Sequence, residues 1–400
     1  MPNVNLMQWE NLAPIVTSLQ NQATGRSDMT ATDLSTVISQ MQTTLRAGYD
    51  PVLAALSQQY GKTIIALRPY TGIFADLEKD LGRWGAIVRK INYLEEDPEA
   101  AAFMDLPDNS SIDPWTIDKF KVLETHLYGE STYSKSKSIT RDQLRNAFTS
   151  PAALGEFING CMTHFENMQR QWLEDVQRAL VCNFIAAKYT AHAAMESALA
   201  GSGDMVVHLL SEYNTETGLS LTDVTVFLPD NFKSFTEWLY ARVNTLARFM
   251  RARSEKFQQR IVNKPIARHT PADRLKFYML GKFIDQIDAM GLSNVYNDNY
   301  LQMATKRGVD FWQSINSPDT ISVTPSYVNT AGEIATADPV ELEKVVGVLF
   351  DDDAIGYTVT LDETDPSPYN QKGRYYNITN NKAIKTMNDI TEKGVVLMLD

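Results

Sequence analysis

Residues 150–180 read SPAALGEFINGCMTHFENMQRQWLEDVQRAL, and this stretch decides the fold. Ser150 suits an N-cap and Pro151 suits the first helical position. Apolar side chains then recur at steps of three or four residues, which predicts a long amphipathic helix. They are Leu154, Phe157, Ile158, Cys161, Met162, Phe165, Met168, Trp172, Val176 and Leu180.

This helix is expected to continue toward Ala200, where a Gly-Ser-Gly sequence ends it, although residues 190–194 leave room for a break. Forty helical residues measure roughly 60 Å, more than the width of most small domains. The segment is therefore interpreted as a structural spine.

Two extended stretches precede the spine. Residues 87–94 and 120–133 mix apolar and charged side chains and show little helical periodicity. A loop at residues 95–114, which is acidic and contains several prolines, lies between them. This pattern is typical of a long two-stranded excursion exposed on both faces. Two strands rarely bury enough surface to be stable alone.

The first 48 residues are rich in Gln, Thr, Ser and Asn and are too polar to make a core. They predict an arm with one short helix that stops at Gly48. The apolar residues of that helix are Leu34, Val37, Ile38, Met41 and Leu45.

Helices and strands interleave after the spine. Residues 221–228 predict a strand, residues 230–256 an amphipathic helix and residues 272–290 a further helix. The helix predicted at residues 230–256 has an apolar stripe that consists of Phe232, Phe235, Leu239, Val243, Leu246 and Met250. Strands are expected at residues 320–324, 345–349, 357–361 and 395–399. Because no βαβ regularity appears, the fold class is α+β.

Composition excludes several classes of protein. Hydrophobic residues make up 44% of the 400 residues, which is ample for a core. The net charge of −12 argues against a whole-chain binder of nucleic acid or anionic membrane. The start lacks the pattern of an export signal and the apolar runs are too short to span a bilayer, so we expect a soluble, cytoplasmic protein.

No catalytic, cofactor or metal site is predicted. Gly61-Lys62-Thr63 resembles the end of a phosphate-binding loop, but the glycine required earlier in that motif is Leu56. Asp351-Asp352-Asp353 is interpreted as a solvated turn. The two cysteines, Cys161 and Cys182, are expected to be core residues. The histidines, none within four residues of another, are His126, His164, His192, His208 and His269, and His164 is expected to be structural.

A basic cluster stands out against the acidic background. A solvated helix face that pairs with acidic neighbours is the favoured interpretation, and contacts with a polyanion or with another subunit remain open. The cluster consists of Arg242, Arg248, Arg251, Arg253, Lys256, Arg260, Lys264 and Arg268, with the single acid Glu255 among them.

The order of arm, excursion, spine, mixed α/β portion and late strands resembles the Hong Kong 97-like fold of tailed-phage major capsid proteins. The sequence is most similar to phi-29-like head proteins in SITRDQLRNAFTS, residues 138–150, running into Phe157-Ile158, and in Gly82-Arg83. The closing segments GVLFD at residues 347–351, AIGY at 354–357, YYN at 375–377 and GVV at 394–396 also resemble phage head proteins. An added immunoglobulin-like domain, which some relatives have, is not expected here.

The resemblance implies a domain plan. The excursion would be the E-loop that reaches over a neighbouring subunit, and the arm would clasp a neighbour. The expected divisions are an N-terminal arm at 1–48, a first part of the peripheral domain at 49–82, the E-loop at 83–139, the peripheral domain with the spine helix at 140–214, an axial domain at 215–344 and closing strands at 345–400.

The resemblance also implies a function. The chain would be a structural subunit, not an enzyme, that assembles in the host bacterial cytoplasm into hexamers and pentamers of an icosahedral shell. The shell would enclose double-stranded DNA without sequence-specific binding, and scaffolding and portal proteins would be partners. The alternatives are an encapsulin-like shell around cargo proteins, a portal subunit, and a soluble α+β enzyme with no recognisable motif.

Overall fold

The computed structural model describes residues 73–80, 88–95, 119–127, 129–140, 151–198, 203–262, 264–289 and 305–400, with a few isolated positions between 108 and 117. The chain divides into two compact units. The first contains Met1–Ala75, Glu130–Val176 and Thr358–Lys385, and the second contains Asp76–Gly129, Gln177–Tyr357 and Thr386–Asp400.

The described residues form four α-helices and fourteen strands. The helices are α1 (Pro151–Ala198), α2 (Leu209–Thr217), α3 (Pro229–Arg251) and α4 (Gly281–Ala289). The strands are β1 (Val88–Tyr93), β2 (Val122–Leu127), β3 (Glu130–Thr140), β4 (Val206–His208), β5 (Leu275–Leu280), β6 (Thr305–Val309), β7 (Ile321–Val323), β8 (Ser326–Val328), β9 (Ile334–Thr336), β10 (Val340–Leu342), β11 (Val345–Asp351), β12 (Ile355–Pro366), β13 (Tyr375–Asn388) and β14 (Gly394–Met398). The α+β class is confirmed.

The spine is confirmed as one helix. The structure contains α1 from Pro151 to Ala198 without the break allowed for at residues 190–194. Its 48 residues correspond to about 70 Å. Thr190 lies on that stretch and donates its hydroxyl to the Ala186 carbonyl, 3.0 Å away, so its polar group is satisfied within the helix. Leu180 is buried as the stripe predicts, whereas the side chains of residues 151–166 lie outside the described part.

The first unit contains a sheet of strand order β12-β13-β3. β13 and β3 are antiparallel over eleven residue pairs, from Tyr375 opposite Thr140 to Lys385 opposite Glu130. Exposed hydroxyl and amide groups pair across them: Ser134 with Asn381 at 2.8 Å, Ser136 with Thr379 at 2.7 Å and Ser138 with Asn377 at 2.6 Å. On β3, Tyr133 packs on Trp172 of α1 with ring centroids 5.2 Å apart.

The second unit is built on a mixed sheet of strand order β4-β14-β11-β5-β6. β11 lies antiparallel to β14 and to β5, while β4 and β6 join the two edges in parallel. Every residue of β5, β11 and β14 is buried, which explains their nearly continuous apolar sequences. At Gly347 a Cβ would lie 2.7 Å from the Tyr278 carbonyl oxygen, so the close approach of β11 and β5 requires glycine there.

Helix α3 matches its prediction except at its end. All six stripe residues are buried, and Pro229 occupies the start of the helix. The helix ends at Arg251, not at Lys256, because Ala252 has extended dihedral angles and Ser254 then pairs with Arg268 in an isolated antiparallel bridge.

Two sequence predictions were wrong. The expected strand at residues 221–228 contains a 3₁₀ turn, Thr225–Phe227. The Thr222 amide donates to the Thr225 hydroxyl oxygen at 2.7 Å, and the Thr225 amide donates to the Thr222 hydroxyl oxygen at 3.3 Å. These local hydrogen bonds outweigh the β-branched composition. The expected helix at residues 272–290 is a 3₁₀ turn, strand β5 and helix α4, because the six consecutive residues LKFYML pair between β11 and β6.

The other predicted strands are confirmed, since β7, β11, β12 and β14 overlap the four expected positions. β1, β2 and the start of β3 occupy the extended stretches of the excursion. The expected arm at residues 1–48 lies outside the described part of the chain. None of the described helices has the length and apolar character that crossing a membrane requires.

Candidate assembly surface

The hairpin of β1 and β2 exposes several large apolar side chains. The strands are antiparallel, with Ile91 opposite Glu124 and Tyr93 opposite Val122. Because side chains alternate between faces, these four residues share one face. Ile91 is 48% exposed, Tyr93 66% and Val122 51%.

Aromatic residues extend this face along the chain. Phe120 is 88% exposed and packs edge-to-face on Tyr93, with ring centroids 5.8 Å apart. Trp115 and Ile117 are exposed by 85% and 81%. We define the hairpin face as Ile91, Tyr93, Phe120 and Val122. Large apolar groups gathered in this way are typical of a surface that another protein covers.

A charged group borders the hairpin face. The Arg89 guanidinium donates to the Glu124 carboxylate at 2.9 Å, and His126 Nε2 lies 3.1 Å from the same carboxylate. The hydrogen bond from Arg89 holds the pKa of Glu124 below its ordinary value. The face thus combines an apolar centre with a polar edge, the arrangement found in protein interfaces.

The opposite side of the hairpin is held by a buried ion cluster. Lys90 Nζ lies 2.8 Å from Asp389 Oδ2 and also pairs with Glu392, which in turn pairs with Arg268. Asp389 is only 2% exposed. The amide and hydroxyl of Thr391 donate to Asp389 Oδ1 at 2.9 and 2.6 Å. Every oxygen of the Asp389 carboxylate therefore has a partner.

Attraction between the opposite charges of this cluster determines the pKa directions of Lys90 and Asp389. Burial alone would lower the pKa of Lys90, but the carboxylates of Asp389 and Glu392 outweigh burial and raise it. Burial alone would raise the pKa of Asp389, but Lys90 and Arg268 hold it below its ordinary value. The cluster is therefore charged at neutral pH and anchors β1.

Two contacts continue the anchor beyond β1. The Glu95 amide donates to the Pro265 carbonyl at 2.8 Å, and the Glu95 carboxylate pairs with Arg253. The hairpin is thus attached to the segment that follows α3 as well as to the turn between β13 and β14.

Lys188 lies beneath the anchor and is fully buried in α1. Its ammonium donates to the carbonyls of Phe257, Ile390 and Glu392 at 3.1, 3.0 and 2.7 Å. Burial lowers the pKa of Lys188 to about 7. One side chain of the spine therefore holds both segments on which the hairpin rests.

The depressed pKa of Lys188 predicts a pH dependence of stability. Between about pH 7 and the ordinary lysine value near 10.4, the unfolded chain binds the proton that the folded chain lacks. Stability should therefore rise with pH in that window, by up to roughly 1.4 kcal/mol per unit from this group. Urea unfolding of the unassembled subunit at pH 7, 8 and 9 measures the slope.

The comparison variant is Lys188→Met. Its free energy of unfolding should rise less steeply with pH than that of the wild-type protein. Lys393, whose pKa burial lowers to about 8, has an effect of the same sign and would preserve part of the slope. Equal slopes in the variant and the wild-type protein would show that Lys188 does not titrate in this window.

Half of the basic cluster forms ion pairs within the chain. Arg242 forms two hydrogen bonds with Glu212, at 2.7 and 2.9 Å, and Arg260 lies 2.9 Å from Asp204. Arg253 and Arg268 take part in the anchor. Four of the eight basic residues therefore pair with acids, as the interpretation of an ion-paired face predicts.

The acidic run after β11 is less solvated than the sequence suggests. Asp351 is 5% exposed and caps a 3₁₀ turn by accepting a hydrogen bond from the Asp353 amide. Asp352 pairs with Lys276 at 2.6 Å and with Lys79 at 3.3 Å, so these carboxylates join a protein-internal ion network. Among the described residues, no group of three or more His, Cys, Asp or Glu could hold a metal ion.

The remaining candidates fall into two groups. Cys182 is buried as expected, and burial raises the pKa of its thiol to about 12, which makes it unreactive. Gly61-Lys62-Thr63 and the side chains of Cys161 and His164 lie outside the described residues.

Sequence reasoning missed the anchor. Asp389 and Glu392 lie 299 and 302 positions after Lys90, and no spacing rule predicts that they meet it. The burial of Lys188 could have been predicted, because Lys188 is the one charged residue in VCNFIAAKYTA, residues 181–191.

The comparisons with known proteins give one family match. The model of the family described as "Phi29-like phage major capsid protein" matches residues 12–389. No curated protein matches the chain.

Solved structures of phage particles also match, at low identity. The capsid of Staphylococcus phage Andhra is 10% identical with a TM-score of 0.48, over 81% of this chain and 82% of that chain. A chain in the structure of the head fiber and inner core protein of bacteriophage P68 is 10% identical with a TM-score of 0.45, over 81% and 83%. The capsid of cyanophage P-SCSP1u is 8% identical with a TM-score of 0.39, over 79% and 84%.

Proposed function

The chain belongs to the family of Phi29-like phage major capsid proteins, and from this membership we propose how its subunit builds a shell. The protein is a structural component of the virion capsid that assembles with copies of itself around packaged DNA. In our proposal residues 83–139, which include the hairpin and the loop that joins its strands, are the E-loop. The hairpin face is the surface that a neighbouring copy covers.

The observation that carries this proposal is the contrast between the two faces of the hairpin. One face is fixed to its own subunit by Lys90, Asp389 and Glu392, and the other presents Tyr93 and Phe120 to solvent. A rigidly held apolar surface loses little conformational entropy when a partner covers it. Many such contacts add up in a closed shell, so each can be weak.

The rest of the domain plan belongs to the same proposal. Residues 1–48 act as an arm, residues 49–82 and 140–214 form the peripheral domain, residues 215–344 form the axial domain, and residues 345–400 supply the closing strands. Scaffolding and portal proteins are the expected partners, and assembly takes place in the host bacterial cytoplasm.

Charge supports enclosure of DNA without sequence-specific binding. The chain has a net charge of −12, and Arg242, Arg253, Arg260 and Arg268 are paired with acids of the same chain. Arginines that already hold carboxylates have less attraction left for phosphates. The proposed inner wall of the shell therefore encloses DNA without binding it tightly. We assign no catalytic residue.

Deletion of residues 94–114 tests the E-loop assignment. We expect a folded, soluble subunit that does not build shells, because the segment that reaches a neighbour is lost. Circular dichroism and thermal unfolding check the fold, and electron microscopy counts particles. Normal closed particles from this deletion would refute the assignment.

Charge reversal at Arg251 and Arg253 is expected to impair assembly and to leave the DNA content of each particle unchanged. Glutamate at position 253 would repel Glu95 and loosen the attachment of the hairpin. Because the Arg253–Glu95 pair is partly exposed, its loss alone should lower the stability of the subunit by less than about 1 kcal/mol. Particle yield and DNA content per particle are the measurements.

Lys264→Glu is the control for a single charge reversal, since Lys264 is exposed and belongs to the same basic cluster. Assembly lost equally in the control would indicate a general charge effect. Reduced DNA content in full-yield particles of the double variant would instead indicate that the arginines contact DNA.

A further inference from the structure

Strand β3 forms one edge of the three-stranded sheet in the first unit. The strand order is β12-β13-β3, so among the described strands β3 pairs only with β13. It has eleven residues, more than most strands of globular proteins have. A long edge strand presents unpaired backbone amides and carbonyls, and these can pair with the same edge of another copy.

The side chains of β3 alternate between two faces. Ser134, Ser136 and Ser138 share one face, where they hydrogen-bond to side chains of β13. The pairing with β13 continues without a register shift, so the odd-numbered positions share the other face. We call this the odd face of β3. It carries Tyr133, which packs on α1, and the buried Ile139.

Two lysines interrupt the odd face between Tyr133 and Ile139. Lys135 is exposed and Lys137 is partly buried. Lys135 lies opposite Asn380 of β13 and its neighbour lies opposite an isoleucine, so neither lysine faces an acid across the strand pair. A lysine side chain keeps its ammonium in water, and lysines on an edge strand are a common means of preventing edge-to-edge association.

Pairing of β3 with β3 of a second copy would bring these lysines together. In an antiparallel two-fold arrangement, directly opposite residues share a face, with Cβ atoms about 5 Å apart. If all eleven residues pair, Lys135 lies opposite Lys135. If the pairing is centred on Ser136, Lys135 lies opposite Lys137 twice. If it is centred on Ser134, the two Lys135 side chains are diagonal neighbours. Like charges placed opposite each other destabilise a strand pair.

The other edge strand of this sheet, β12, carries acids instead of lysines. Asp362, Glu363 and Asp365 lie in its exposed part, and the strand ends at Pro366, which has no amide proton to donate. Asp362 also pairs with Lys382 of β13 at 3.2 Å. Each edge therefore carries charges of one sign, and these oppose the pairing of that edge with itself.

We propose that Lys135 and Lys137 prevent the unassembled subunit from associating with a second copy through the edge of β3. The lysines act by charge, since each of the three registers with the largest overlap brings cations together. The inference does not depend on the proposed function, because it concerns the chain before any shell is built.

The variant Lys135→Thr/Lys137→Thr of the 400-residue chain removes both charges. Threonine suits strands, so the fold should be kept, and circular dichroism with thermal unfolding checks this. We expect self-association to begin at about a tenfold lower protein concentration than in the wild-type chain. Light-scattering mass measures the association at concentrations below those of shell formation. Hydrogen exchange should slow for the amides of residues 130–140.

Charge reversal separates charge from other effects of the substitutions. Lys135→Glu alone places a glutamate opposite Lys137 in the register centred on Ser136, so this variant should form dimers of twice the 45.0 kDa subunit mass. Lys135→Glu/Lys137→Glu restores like charges and should behave as the wild-type chain. The control Lys264→Thr/Lys372→Thr removes two exposed lysines elsewhere and should leave the wild-type behaviour unchanged.

A threonine variant that associates no more than the wild-type chain would overturn the proposal. An equal response of the control would do the same, since the net charge alone would then explain the effect. Weaker association of the threonine variant would show that the lysines attract β12 of another copy, which also contradicts the proposal. Association without slower exchange in β3 would place the contact elsewhere and overturn it as well.

Discussion

A subunit carrying Tyr93→Ser and Phe120→Ser should fold normally and fail to close shells at concentrations where the wild-type chain assembles. The two rings are 66% and 88% exposed in the isolated chain, so their loss costs the subunit little. Covered by a neighbour, they would stabilise each contact by at least about 2 kcal/mol. That difference corresponds to about a thirtyfold rise in the concentration needed for assembly.

Static light scattering against protein concentration measures this threshold, and thermal unfolding confirms the fold. The control Ile315→Ser/Ile334→Ser removes apolar side chains that are 76% and 64% exposed elsewhere in the second unit. An unchanged threshold in the aromatic variant, or an equal shift in the control, would contradict the role given to the hairpin face.

The second large effect is expected at the anchor. Lys90→Met removes the ammonium that contacts the Asp389 carboxylate, which is 2% exposed. Removing one partner from a buried ion pair typically costs 3 to 5 kcal/mol, and because Arg268 still faces Glu392, about 3 kcal/mol is expected here. Urea unfolding of the unassembled subunit measures the loss, and shell formation should fall with it because the hairpin is no longer held.

A double-mutant cycle separates the ion pair from general effects of the substitution. Asp389→Asn keeps an oxygen that accepts from Thr391 and removes the charge, so Lys90→Met should cost much less in that background. Additive costs would show that Lys90 and Asp389 do not interact.

The helices whose apolar residues recur at helical spacing were predicted correctly from the sequence. The helix from Pro151 and the stripe from Phe232 to Met250 follow from side-chain period and from proline at the first turn, and each is present. The segment Leu275–Leu280 was mistaken for helix because a short, wholly apolar run carries no period. Only its pairing with β11 and β6 makes it a strand.

The sequence predicted the exposed hairpin of the candidate surface but not the ion cluster that anchors it. Two extended stretches around a polar loop indicated an exposed hairpin, and β1 and β2 lie there. The anchor brings Lys90 to residues about 300 positions later in the chain, a contact that only the tertiary fold creates. The family resemblance suggested what the hairpin does, and the match over residues 12–389 confirms the family.

The central claim is that copies of this chain build a closed shell. Electron microscopy combined with light-scattering mass, on the 400-residue chain expressed alone and with the adjacent genes of its source, tests it most directly. The account predicts closed shells, or pentamers and hexamers of the 45.0 kDa subunit. A stable monomer or a small oligomer under both conditions would contradict it.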